Sequence, residues 1–265
     1  INISLMKFNE DRSGWGGYVD LPMTPITDAR TDFATKINAY IGTGGTPLTE
    51  ALEESLRYLR GDSVKYGKYD SNYYSDSATR TGATYNSPVS HQCQKNHVVL
   101  FSDGQPSSDT GANTRIQNLL KTVAEENRVS GLSTSCSNSG GCAEEIAFYG
   151  NQEDLSSTLD GIQNVTFHAV GGFVQGAAQT KLEDIAKYGS WAAPGKPLNP
   201  SLQEGEGIYA NVQNYEQLKK SLQDIFDAIA KTSSTFTAPA VSVNAFNNLE
   251  HLDQLYYSVF KPTDS

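Results

Sequence analysis

The chain has 265 residues, 37% of them hydrophobic, enough apolar material for one large core with or without a small appendage. A formal net charge of −10 with no basic patch to offset it argues against nucleic acid as a partner, because phosphate backbones are repelled. No apolar stretch approaches the ~20 residues that span a bilayer, so no transmembrane segment is expected.

Residues Ile1 to Phe8 alternate as an opening strand, and Phe33, Ala34, Ile37, Tyr40 and Ile41 fall on one face of a helix over 31–41. The glycine-rich loop Gly42-Thr-Gly-Gly-Thr-Pro-Leu-Thr-Glu50 runs into a second helix, from Pro47 to about Arg60, whose apolar face is Leu48, Ala51, Leu52, Leu56 and Leu59. Thr46 stands at that junction. It reads either as an N-cap ahead of a first-turn proline or as an oxygen donor. From Gly61 to Asn96 the chain changes character: Tyr66, Tyr69, Tyr73, Tyr74 and Tyr85 lie among Ser, Asp, Gly and Thr with no sustained period. So long an excursion suits either a contact surface rich in tyrosine or a loop that packs its rings onto its own domain.

The most informative stretch follows, His97-Val-Val-Leu-Phe-Ser-Asp-Gly-Gln-Pro106. An unbroken apolar run of this length is a strand covered on both faces, as in parallel sheets flanked by helices, and ligands bind where such strands end. Asp103 is therefore delivered to the sheet edge, although Asp103-Gly104 also suits an ordinary turn. A helix is expected over 115–125, and Cys136 and Cys142 lie six positions apart in a Ser- and Gly-rich loop that can close into a small disulfide ring. Cys93 is left over. Zinc is disfavoured, since the spacing is not Cys-x-x-Cys and His91, His97, His168 and His251 are scattered.

One or two helical segments are expected over 144–159, a buried strand over 165–173, helices over 179–188 and 215–231, and a short strand over 208–212 between them. His168, inside an apolar strand, reads as a satisfied interior residue rather than a ligand. Two β-rich segments, 236–246 and 253–262, close the chain.

A hydroxyl at a helix N-terminus and a carboxylate at a strand end are hard donors of the kind magnesium and calcium prefer. Thr46 and Asp103, in Gly44-Gly45-Thr46 and Asp103-Gly104, resemble two of the three loops of the metal-ion-dependent adhesion site in von Willebrand factor A-type domains. The third loop of that site, Asp-x-Ser-x-Ser, does not occur ahead of Thr46, and residues 1–8 read like the second strand of that fold, so its first strand is expected upstream of Ile1. The tail from Phe236 to Asn247 and from Leu255 to Pro262 narrows the resemblance to the PilC/PilY family of type IV pilus tip-associated proteins.

The resemblance implies an α/β, Rossmann-like A-type domain over 1–234: a mainly parallel sheet flanked by helices, with an insertion at about 61–96 and a cysteine loop at about 131–142. A β-rich connection over 235–265 follows. It implies a bacterial protein, exported to the pilus tip, cell surface or outer membrane, acting in pilus biogenesis and adhesion. Minor pilins are the expected partners, and host or abiotic surfaces are further ligands. The expected cofactor is Mg²⁺, with Ca²⁺ or Mn²⁺ as the other ions, conditional on an upstream Asp-x-Ser-x-Ser. Thr46 and Asp103 would ligate it, and Gly45, Gly104 and Gln105 would border the ligand.

No Gly-x-Ser-x-Gly elbow, phosphate loop or His-Glu-x-x-His is present, and no enzyme is expected. Besides the metal-dependent adhesive module, two alternatives stand: a structural docking block for minor pilins with a vestigial metal site, and a mechanical or redox-responsive element in surface sensing.

Overall fold

The computed structural model describes residues 1–9, 15–92, 94–123, 132–133, 135–190, 207–232, 236–241 and 255–260. β1 (Asn2–Phe8) and β2 (Gly17–Pro25) pair antiparallel, and α1 (Ile26–Ala39) follows without a loop. β2 was not expected from the sequence. Its alternation Tyr18-Val19-Asp20-Leu21 buries only Val19 and Leu21, too short a signal to separate from a loop. α1 begins at Ile26 rather than 31, and its expected apolar face is largely uncovered: only Ala29 is buried, and Ile37 and Ile41 are exposed.

α2 (Leu48–Arg60) is buried nearly all round. The excursion that follows is built from two short hairpins, β3 (Lys68–Tyr69) with β4 (Asn72–Tyr73), and β5 (Arg80–Thr81) with β6 (Thr84–Tyr85). Then come β7 (Asn96–Ser102), α3 (Asn113–Leu120), α4 (Ala143–Gln152), β8 (Val165–Gly172), α5 (Ala177–Tyr188), β9 (Tyr209–Val212) and α6 (Tyr215–Thr232). The end of the helix expected over 115–125, like parts of the two tail segments, lies outside the described residues. Those segments contribute β10 (Phe236–Val241) and β11 (Leu255–Phe260), which pair antiparallel with each other.

β7, β8 and β9 form a three-stranded parallel sheet in that order, with Asn96 opposite Val165 and Ala169 opposite Tyr209. Period-two alternation sends Phe167 and Ala169 to one face, where they meet Leu52 and Leu56 of α2, Ile146 and Phe148 of α4, and Leu182 and Ile185 of α5. Val170 and Val212 face the other way and are covered by Ile225 and Ile229 of α6. The fold is thus mixed α/β with helices on both faces of a parallel sheet. Gly150 lets α4 close on α2, because a Cβ there would lie 2.7 Å from a Leu56 methyl and 3.2 Å from the Phe167 ring. Among the described residues β1 pairs only with β2 and β7 only with β8, so the two sheets are joined through α2 rather than by strand pairing.

His168, on the α6 face, is satisfied as expected. The Ile208 N–H donates to its Nδ1 at 3.1 Å, which leaves the proton on Nε2, 3.1 Å from Nδ1 of His97; the two rings stack at 5.4 Å. Burial holds both imidazoles down at about 4, assisted by Lys95 at His97 and by His97 at His168. A histidine whose folded pKa lies below the unfolded value is destabilising as pH falls from about 6.5 towards 4, since the unfolded chain takes up protons first. His168→Gln should therefore lose less stability than the wild type over that window, the difference reaching roughly 3 kcal/mol for a fully buried ring. Urea unfolding at a series of pH values checks this, and a wild-type-minus-variant difference that stays constant from pH 6.5 to 4 would exclude a neutral buried pair.

Candidate functional site

The loop before α2 and the loop after β7 meet at the C-terminal end of the parallel sheet. The Thr46 N–H donates to Ser107 Oγ at 3.0 Å, and the Ser107 N–H returns a bond to the Thr46 carbonyl at 3.1 Å. Thr46 Oγ1 lies 4.0 Å from where a Cβ on Gly104 would be. The structure therefore brings Gly45, Thr46 and Gly104 together, with Asp103 and Gln105 exposed at the same strand end. Thr46 is not the N-cap of α2: the residue ahead of Leu48 is Pro47, and neither supplies a side-chain cap. That duty falls to Asp109, whose carboxylate accepts the Thr49 N–H at 2.8 Å and the Glu50 N–H at 3.2 Å. Capping from sixty residues away leaves no local motif, which is why sequence spacing did not disclose it.

Cys136 and Cys142 form a disulfide, with Cα atoms 5.5 Å apart and both side chains buried. The ring they close backs the β7–α3 loop. Ser139 Oγ accepts the Asp109 N–H at 2.9 Å, the Gly140 N–H donates to the Asp109 carbonyl at 3.0 Å, and Gly140 rests on Pro106. Asp109 is thus gripped by the ring through its backbone while its side chain holds α2. Cys93 lies outside the described residues.

As a metal centre the edge is sparse. Thr46 and Asp103 offer one hydroxyl and one carboxylate, whereas Mg²⁺ takes near-octahedral oxygen coordination. Among the described residues there is no group of three or more His, Cys, Asp or Glu side chains that could hold a metal. The donors present do not complete a cation site by themselves.

A second cluster, unforeseen from sequence, is a row of buried carboxylates on α2. The backbone N–H groups of Lys65, Tyr66 and Gly67 donate to the Glu54 carboxylate at 3.1, 3.0 and 2.9 Å, and the Tyr85 hydroxyl donates to it at 2.7 Å. Burial nevertheless pushes the Glu54 pKa up. Glu53 is also buried, but Arg115, bidentate at 2.9 and 2.8 Å, and Arg57 outweigh that and hold its carboxyl below the usual range. Glu50 accepts the Gly16 N–H at 2.7 Å and the Gly111 N–H at 2.8 Å, and burial, opposed by the Gly16 bond and aided by Asp109, raises it to about 7. The hydroxyl of Tyr66 meets Arg115 and Glu53, so its ring is locked inward.

The insertion is therefore bound to its own domain. Tyr66 and Tyr85 are 1% and 3% exposed, which removes them from any contact surface; Tyr69, Tyr73 and Tyr74 are half-buried, Tyr73 beneath the Arg80 guanidinium at 4.0 Å. The sequence signal that was available is the run Glu50, Glu53, Glu54 on the inward side of a helix. Three carboxylates there demand donors from elsewhere.

Compared with known proteins, residues 34–176 match the family model described as PilY1 homolog, second domain. No curated protein and no solved structure matches the chain.

Two stability measurements probe the framework. Glu54→Ala removes the acceptor of three N–H groups, those of Tyr66 and Gly67 buried, and should cost about 2–4 kcal/mol in chemical denaturation, with protease cleavage appearing first within 62–90; a loss under ~1 kcal/mol would mean the insertion is held by other contacts. Replacing both Cys136 and Cys142 by Ser reopens a short ring and should cost about 2 kcal/mol. Non-reduced peptide mapping must show the two joined in the parent chain, and free alkylation of both in oxidised protein contradicts the bond.

Proposed function

The chain belongs to the family of PilY1 homologs, whose second domain its residues 34–176 match, and from that premise we propose that it is a contact module of a type IV pilus-associated protein. It acts by protein–protein association at the pilus tip, with minor pilins as partners, in an exported bacterial protein serving pilus biogenesis and adhesion. The observation that carries this reading is the C-terminal edge of the parallel sheet. There the loop before α2 and the loop after β7 converge, and Asp103 and Gln105 are exposed while Tyr66 and Tyr85 of the insertion are buried. No described helix is long and apolar enough to cross a membrane.

The antiparallel β1–β2 pair, the parallel β7–β8–β9 sheet and the site at the strand ends support a von Willebrand A-type reading of the fold. A divalent cation at Thr46 and Asp103 is the finer part of the proposal, and it requires oxygen donors beyond these two. The alternative is a docking block for minor pilins that works without metal.

The test is Asp103→Ala in pili. Because Asp103 is exposed, the variant should fold and export like wild type while adhesion and minor-pilin recovery fall severalfold. Calorimetry with Mg²⁺ on the protein with the segment upstream of Ile1 included separates the two forms: heat of binding lost with Asp103 supports the cation, and no binding in either protein supports the metal-free block. Wild-type adhesion and pilin recovery in Asp103→Ala pili would overturn the assignment of this edge as the contact face.

A further inference from the structure

Glu50 is 2% exposed and divides its two oxygens between segments far apart in the chain. Oε2 accepts the Gly16 N–H at 2.7 Å, in the turn that leads into β2, and Oε1 accepts the Gly111 N–H at 2.8 Å, in the loop between β7 and α3. The backbone N–H of the same residue goes to Oδ1 of Asp109 at 3.2 Å, which brings a second buried carboxylate to the start of α2. Among the described residues the other titratable or charged groups that face Glu50 are Arg115 of α3 and Tyr66 of the insertion, with Glu53 one turn further along α2 itself.

A carboxylate accepts hydrogen bonds at both oxygens, whereas a carboxylic acid keeps one good acceptor, its carbonyl, and turns the other oxygen into a donor. Glu50 therefore cannot take up a proton and hold both N–H groups. The two are not equally free to leave. Gly16 is buried, its carbonyl accepts the Asn9 N–H at 3.0 Å, and a Cβ on it would lie 2.5 Å from Cβ of Tyr66 and 3.1 Å from Cβ of Glu50. Gly111 is exposed, so water can replace Glu50 at its N–H. The proton thus belongs on Oε1, and the bond it removes is the one to Gly111. Burial, opposed by the Gly16 bond and aided by the charge of Asp109, raises the pKa from the ordinary 4.5 to about 7.

We propose that Glu50 is a proton-operated latch on the loop after β7. Ionised, it clamps that loop at Gly111 to the turn at Gly16; protonated, it keeps Gly16 and lets Gly111 go. Gly111 lies two residues after Asp109, which caps α2 and is gripped by the disulfide ring, and two residues before Asn113, where α3 starts. Acidification therefore loosens the entry to α3 while the ring keeps Asp109 in place, and the loop that carries Asp103 and Gln105 loses one of its fastenings. The latch goes beyond the contact role and does not depend on which face a partner takes.

The experiment follows the Gly111 and Gly16 amides and the side-chain carboxyl carbon of Glu50 by NMR, in the isotope-labelled full chain, from about pH 5.5 to about 8.5. The carboxyl carbon and the Gly111 amide should titrate together with a midpoint near 7. Protection of Gly111 against hydrogen exchange, corrected for the intrinsic pH dependence, should fall roughly three- to tenfold on the acid side while Gly16 keeps its protection. Glu50→Gln, which carries a donor where the acid carries its proton, should leave Gly111 unprotected at every pH and abolish the transition. Glu145 is also raised to about 7, by burial and then by Glu144, and Glu145→Gln should leave the Gly111 transition where it was. Where Glu50→Gln does not fold, the wild-type titration decides alone: a Gly111 amide that is flat across the range, or that moves with a midpoint different from the Glu50 carbon, overturns the latch. So does a transition that survives Glu50→Gln or disappears in Glu145→Gln, and so does loss of protection at Gly16 instead of Gly111.

Discussion

The structure depends on one constraint: a carboxylate taken out of water must find donors, and α2 carries three on its inward side. Glu54 gathers three consecutive backbone N–H groups of the insertion, Glu53 gathers two guanidiniums, and Glu50 ties the turn before β2 to the start of α3's loop. Apart from Arg57, which lies on α2 itself, these partners come from other segments of the chain. Apolar contact alone would let these segments slide; directional bonds to a buried charge do not. This is how a helix with Leu48, Leu52 and Leu56 on one side can also serve as the anchor for 35 residues with almost no aliphatic side chains.

The same logic sets the edge of the sheet. Asp109 joins the disulfide ring to the N-terminus of α2, and Ser107 joins Thr46 to the β7 loop, so the strand end and the glycine-rich loop are positioned by one small network. Its members are polar side chains on loops, held from behind by a covalent ring. The exposed residues in front of it, Asp103 and Gln105, are consequently carried on a rigid support, which is what recognition by a few side chains needs.

Much was legible in the sequence because it depended on periodicity. The runs at 98–101 and 165–170 appeared as parallel strands because strands covered on both faces must be continuously apolar, and α2, α5 and α6 showed helical spacing. The Cys136–Cys142 pairing was legible because a separation of six positions constrains where the two can go. The convergence of Thr46 and Gly104 came from the resemblance of their motifs, and the geometry places them side by side.

The sequence by itself determined the α/β class, the parallel strands, the position of Asp103 at a strand end and the disulfide, since each follows from local pattern or short-range chain geometry. Only the tertiary structure decided that Tyr66 and Tyr85 are core residues, that Asp109 rather than Thr46 caps α2, that β2 exists, and that the Phe101 ring lies against Gly172. The physical reason is common to these four. A tyrosine among serines is inward or outward according to whether a buried carboxylate elsewhere needs its hydroxyl, and a cap, a hairpin partner or a missing Cβ acquires meaning from a neighbour that periodicity along the chain does not reveal.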